Sequence, residues 1–246
     1  MKPLPVSKPN TWEFLRDPMI APTGFREYDA RWKYPQEINL PGMTALGLGL
    51  GTQMWKRGIE PVIAVGNDYR DYSLAIKNAL ILGLMQAGIH VKDIGPALSP
   101  MAYFSQFYLD APAVAMVTAS HNPNGWTGVK MGFERPLTHG PDEMAELKNI
   151  VLNGEGEARE GGRYEFVDGV KEAYLDDLVG DFRISRPLKI VCATGNGTAS
   201  AFAPEVLKRM GVEVVPLHNE LDYTFPNYNP NPEDLAMLHD MSDSVK

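Results

Sequence analysis

Ser120 and His121 stand side by side in VTASHNPNGWTGVKMGF, residues 117–133, and Lys130 follows ten residues after the serine. The same stretch holds Asn122, Asn124, Gly125 and Gly128. A hydroxyl, an imidazole and an amine at this spacing could attack a carbonyl, help hold a metal, or carry a charged group. As a hydrolase nucleophile Ser120 fits poorly. That elbow reads G-x-S-x-G, whereas here the order is Thr118-Ala119-Ser120-His121-Asn122, and no nearby Asp suggests itself to orient the imidazole. One imidazole without a carboxylate is not a complete metal site. A phosphoryl group on Ser120 fits better. The Asn side chains, the backbone N–H groups near Gly125 and Gly128, and Lys130 would stabilise its charge. His121 or Lys130 could then handle the proton of an acceptor hydroxyl. The plain alternative is a turn that Asn, Pro and Gly merely shape. Residue types alone leave both of these open.

The flanking elements decide where such a loop sits. PVIAVGND (61–68) reads as a buried strand ended by Gly66 and Asn67. Residues 72–88 read as a helix closed by Gly88. HVKDIG (90–95) is a short strand. Residues 99–109 form a helix with Ser99 at the N-cap and Pro100 at its first position. AVAMVTAS (113–120) is another buried strand, and GVKMGF (128–133) follows the loop. Alternating strands and helices predict a mostly parallel sheet between helices. Residues 120–128 are too few for a parallel crossover, so the strand after them should run antiparallel. Residues 142–151 form a helix. An earlier apolar run, LPGMTALGLGLGTQMWKRG, is helical after Pro41. Its Gly47, Gly49 and Gly51 lie inside the helix and read as close packing rather than as a dinucleotide loop.

The pattern predicts two α/β domains, each with a mixed, mostly parallel sheet sandwiched between helices. The expected boundaries are an extended segment at 1–24, domain I at 25–153, a Gly- and charge-rich linker at 154–166, and domain II at 167–246. The second domain looks incomplete, with two convincing strands. The totals agree with a folded protein: 44% hydrophobic and 22% charged residues, with a net charge of -8. That charge argues against nucleic acid as a partner. Cys192 is the single cysteine, so no internal disulfide forms, and its apolar surroundings suggest a buried thiol. No apolar run approaches the ~20 residues of a membrane span. The N-terminus lacks the apolar core of a signal peptide, so a cytoplasmic setting and no membrane partner are expected.

Four stretches then share one resemblance. TASHNPNGWTGVK resembles the active-site serine loop of the α-D-phosphohexomutases, which reads T-A-S-H-N-P and then N-G-x-K. The similarity is greatest to the bacterial phosphomannomutase/phosphoglucomutase group. FREYDARW (25–32) resembles its F-R-x-Y-D-x-R-G, with Trp32 in place of Gly. VGNDYRDYS (65–73) resembles V-G-x-D-x-R-x-S, and FPNYNPNPEDL (225–235) resembles F-P-x-x-x-P-x-P-E. The F-G-T-D-G of the phosphoglucosamine mutase branch is not present. The resemblance implies that Ser120 cycles through a phosphoserine and that Lys130 is the general acid/base. It places His121 and Asn122 beside the phosphoserine, with Asn122, Tyr28, Arg31 and Arg70 toward the substrate. It also implies hexose phosphate substrates, a glucose or mannose 1,6-bisphosphate activator, and Mg²⁺ held partly through the phosphoryl group on Ser120.

Two departures are visible. Trp126-Thr127-Gly128 stands where the family has an aromatic residue, Asn and Gly, and Thr127 is the expected partial substitute for the Asn. The family's D-G-D-G-D-R magnesium loop and its later sugar- and phosphate-binding loops do not occur in the 246 residues. The chain is therefore expected to be an N-terminal part of a mutase whose further domains would be its partners. The alternative is a non-catalytic sugar-phosphate or partner-binding relative. Without the carboxylates and the distant phosphate clamp, the purified 246-residue chain should show negligible mutase turnover. A coupled assay finding turnover equal to that of full-length relatives would contradict this.

Overall fold

The computed structural model describes residues 10–245, and contacts divide the chain into two compact units. One unit contains residues up to Asp68, then 72–119 and 125–168. The other contains 69–71, 120–124 and the chain from Gly169 onward.

The first unit is built on strands β1 (Ala30–Lys33), β2 (Val62–Asn67), β3 (His90–Pro96), β4 (Ala113–Val117), β5 (Trp126–Gly132) and β6 (Arg163–Phe166). Their order across the sheet is β1-β5-β4-β2-β3-β6. Strands β2, β3, β4 and β6 pair in parallel, while β5 runs antiparallel to both β4 and β1. The expected α/β architecture is thus present, including the reversal after the serine loop. The helices are α1 (Trp12–Arg16), α2 (Leu40–Lys56), α3 (Ser73–Gln86), α4 (Ser99–Tyr108) and α5 (Pro141–Leu152). The crossover through α3 steps one way along the sheet and that through α4 steps back. Right-handed crossovers in opposite directions put these helices on opposite faces.

The glycines of α2 do pack closely. A Cβ at Gly47 would lie 2.1 Å from the Leu80 carbonyl on α3, and one at Gly49 would lie 2.5 Å from Val151 on α5. Gly83 of α3 answers from the other side, where a Cβ would meet the Thr44 carbonyl at 2.0 Å. Helix α3 is further tied to the sheet by Lys77, whose buried ammonium lies 2.7 Å from Asp93 of β3. Asp93 also accepts from the Gly95 N–H and the Tyr164 hydroxyl, so its charge is shared with three donors.

Three expectations need correction. Residues 1–24 were expected to be extended. Residues 1–9 lie outside the described residues, but α1 forms where the Thr11 hydroxyl caps Phe14 and the Phe14 ring is buried. A 3-10 turn follows at Pro22–Gly24. The linker expected at 154–166 ends in β6, which pairs with β3 from His90↔Arg163 to Asp93↔Phe166. All four of its residues are exposed, so no buried side chain announces it. Ser99 begins α4, but the cap position is Leu98 and no side chain caps it.

In the second unit, β7 (Lys189–Ala193) and β8 (Glu213–Leu217) pair in parallel. Helices α6 (Val170–Val179), α7 (Ala203–Arg209) and α8 (Leu235–Val245) accompany them. Cys192, Phe202, Val212, Tyr228 and Met237 are buried there, and burial pushes the Cys192 thiol above its ordinary pKa. Among the described residues no helix is long and apolar enough to cross a membrane.

One buried group in the first unit is sensitive to pH. His139 packs edge-on against Phe133, and its Nε2 lies 3.1 Å from the Gln53 Oε1. The Gln53 amide nitrogen donates to Glu143 and Glu146, which leaves its oxygen facing the ring. Nε2 therefore carries the proton, and a second proton on Nδ1 would find no partner among the described residues. Burial lowers this histidine from 6.5 to about 4. The folded state favours the neutral ring, so its contribution is full above 6.5 and is lost as pH falls toward 4. Urea unfolding at pH 7 and pH 4 should show the wild type losing up to ~3 kcal/mol more than His139→Gln between the two conditions. Equal losses would contradict this.

Candidate active site

The carboxyl ends of parallel strands are where open α/β sheets place ligands. At the end of β2 the Asp68 N–H donates to the Val117 carbonyl of β4 at 2.9 Å. Across the next pair, the Thr118 N–H reaches the Gly128 carbonyl of β5 at 3.0 Å. The Asp68 carboxylate is buried. It accepts from the Ala119 N–H at 3.3 Å and from the Ser73 hydroxyl at 2.5 Å. Strand β4 thus ends at Val117, earlier than the sequence suggests, and Asp68 holds the last residue before the serine.

Ser120 itself is exposed and has φ +56°, in the left-handed region. For an L-residue other than Gly that conformation costs about 1–2 kcal/mol. Its Oγ lies 3.3 Å from His121 Nδ1, a long contact. His121 is also exposed, and its carbonyl accepts from the Asn229 side chain at 2.6 Å. Asn124 donates to the Tyr223 carbonyl at 2.5 Å. Arg70 is 5% exposed. Its Nη2 donates to the Ser120 and Asn122 carbonyls at 3.3 and 2.6 Å. Its Nη1 donates to the Pro123 carbonyl and Asn124 Oδ1 at 3.1 and 3.2 Å. The guanidinium also sits 5.3 Å from the centre of the Phe225 ring.

In the first unit, Arg31 stands on β1 opposite Gly128 of β5. It forms an ion pair with Asp29 at 2.9 Å and donates to the Ala119 carbonyl at 3.3 Å. The close pairing requires Gly128, since a Cβ there would lie 2.1 Å from the Ala30 carbonyl. Lys130 is half-buried on β5, opposite Met116 of β4, and its ammonium makes no hydrogen bond or ion pair among the described residues. Tyr28 is 57% exposed.

The structure therefore gathers Ser120, His121, Asn122 and Arg70 into one loop cluster, and it brings Arg31 to the residue before the serine. Tyr28 joins neither set of contacts. Asp68, Phe225 and Asn229 are participants that residue chemistry did not single out, although two of the quoted motifs contain them. Among the described residues no three His, Cys, Asp or Glu side chains converge to hold a metal ion. The described residues do not by themselves fit a magnesium site.

Comparison with known proteins assigns this geometry. Residues 22–157 match the family described as phosphoglucomutase/phosphomannomutase, alpha/beta/alpha domain I, and residues 166–246 match its domain II. The chain belongs to the phosphoglucomutase/phosphomannomutase family. It is 32% identical over 222 residues to a protein of Pseudomonas putida named phosphomannomutase/phosphoglucomutase, covering 90% of this chain and 47% of that protein. It is 33% identical to a Salmonella typhimurium phosphomannomutase, covering 87% and 48%. A crystal structure of a phosphoglucomutase/phosphomannomutase family protein from Burkholderia thailandensis superposes with a TM-score of 0.86 at 30% identity. That match covers 93% of this chain and 51% of the other. The chain spans about half the length of the relatives it matches.

Two departures from the family pattern now have a physical account. Trp32 is fully buried and donates through Nε1 to the Ala21 carbonyl at 2.8 Å, with Phe25 edge-on at 5.3 Å. Gly24 makes room for it, since a Cβ there would fall 1.9 Å from Nε1. Thr127 is 1% exposed and its hydroxyl has no partner among the described residues. An unpartnered buried hydroxyl is unfavourable, and Val suits a buried strand position. Thr127→Val should unfold at the same temperature or higher, with a gain of up to ~1 kcal/mol. Clear destabilisation in a thermal melt would show that the hydroxyl has a structural role.

Proposed function

We propose that this chain takes part in phosphohexomutase chemistry, with Ser120 as the phosphoryl carrier. The observation that carries the reading is an exposed serine hydroxyl in a left-handed bend at the carboxyl end of a parallel strand. It lies within a loop that matches a family whose relatives are named phosphomannomutase and phosphoglucomutase.

In the proposed step, a hydroxyl oxygen of a hexose phosphate attacks the phosphorus of phosphorylated Ser120. A new oxygen–phosphorus bond forms as the Oγ–phosphorus bond breaks. Lys130 in its neutral amine form accepts the proton of the attacking hydroxyl, and protonated His121, whose Nδ1 lies 3.3 Å from Oγ, gives a proton to the departing oxygen. The bisphosphorylated sugar turns round, and its other phosphoryl group passes to Ser120 by the reverse proton movements. Arg31, Asn122 and Tyr28 are assigned to the sugar phosphate side, where cationic and amide donors suit phosphate oxygens. Small hexose phosphates are the expected partners. Nucleic acid is not, given a net charge of -8.

Intact-mass spectrometry during incubation with glucose 1,6-bisphosphate tests the reading. The wild type should gain one phosphoryl group and Ser120→Ala none. Lys130→Met should gain it roughly 10²–10⁴-fold more slowly, as expected for loss of a general acid/base. Uptake that persists in Ser120→Ala overturns the assignment. Binding of the sugar phosphate without uptake by any residue favours a non-catalytic binder.

A further inference from the structure

We propose that Arg70 is a positioning residue for Ser120: it holds the serine loop in its left-handed bend and does not itself contact the ligand. Four donor contacts of its Nη atoms end on residues 120–124. Three of these acceptors are main-chain carbonyls, which no other side chain type could gather with one planar group. Burial at 5% exposure leaves little of the guanidinium for a sugar phosphate. The Phe225 ring, 5.3 Å away, adds a further contact.

The direction of the carbonyls matters for the chemistry. A trans peptide points its N–H opposite to its C=O. Drawing the Ser120 and Pro123 carbonyls onto Arg70 therefore turns the N–H groups of His121 and Asn124 away from the cation. N–H groups so presented can donate to an anionic group. The two-residue spacing of VGNDYRDYS divides the task. Asp68 holds the N–H of Ala119 before the serine, and Arg70 holds the carbonyls from Ser120 onward. This role deepens the reading of Ser120 as the carrier and rests on it only for its effect on rate.

Arg70→Lys keeps the charge and removes the planar fork. Two measurements on this chain and its variant decide the matter: hydrogen exchange of the peptide spanning 117–126, and phosphoryl uptake by Ser120 as a function of glucose 1,6-bisphosphate concentration. Exchange should become faster in 117–126 but not in α2 or α3. The limiting uptake rate should fall about 100-fold, with the half-saturating concentration unchanged. A raised half-saturating concentration with an unchanged limiting rate would make Arg70 a ligand contact. Faster exchange throughout, with a lower melting temperature, would make it a general structural residue. Unchanged exchange in 117–126 would overturn the proposal. If neither protein takes up phosphate, the carrier reading fails and the exchange result alone judges Arg70. Should Arg70→Lys not fold, Asn124→Ala, which deletes one of the four acceptors, should show the same local change to a smaller degree.

Discussion

The antiparallel pairing of β5 with β4, in which Val117 faces Val129, is the constraint on which the candidate site depends. The chain leaves a buried parallel strand and must return beside it within a few residues. That reversal follows the carboxyl end of β4, and Ser120 within it has φ +56°. A residue in that state needs neighbours that over-determine it. Asp68 and Arg70 meet that need from the adjoining strand end. Hydrogen bonds to a charged group contribute about 1.5–3 kcal/mol each, so the contacts of one guanidinium are enough to offset the strain of one residue.

The rest of the first unit keeps the ends of β2 and β4 level. Parallel β2 lies between β3 and β4, so its end is fixed on both sides. Helix α3 begins five residues after Asp68, and the Ser73 hydroxyl at its start binds the same carboxylate that holds Ala119. The glycine contact between α2 and α3 and the buried Lys77–Asp93 pair then lock that helix in place. A shift of α3 would therefore be felt at Ala119 through Ser73 and Asp68. Removing one member of a buried ion pair leaves a charge without its partner, so Lys77 and Asp93 constrain this part of the fold strongly.

Much of this was legible in the residues. The strand–helix alternation, the antiparallel return after the loop and the packing role of Gly47, Gly49 and Gly51 all follow from local pattern. Three things were not legible. Strand β6 has no buried side chain to mark it, and it pairs with β3 from far along the chain. Strand β1 is only four residues long and overlaps a motif that drew notice for its Tyr and Arg. The single turn of α1 is made by a threonine cap and one buried ring within a proline-rich lead-in.

The sequence by itself determined which chemistry is available: a serine, a histidine and a lysine around a short loop, in a chain built from alternating strands and helices. Periodicity and motif spacing are local properties, and they survive in one dimension. Only the tertiary structure decided where each side chain is directed. Arg70 turns into a loop more than fifty residues later, meeting Asn124 at a separation of 54. Thr127 turns its hydroxyl into the core, and Trp32 fills the space above Gly24. Those directions follow from contacts between residues far apart in the chain, so spacing within a motif could not reveal them.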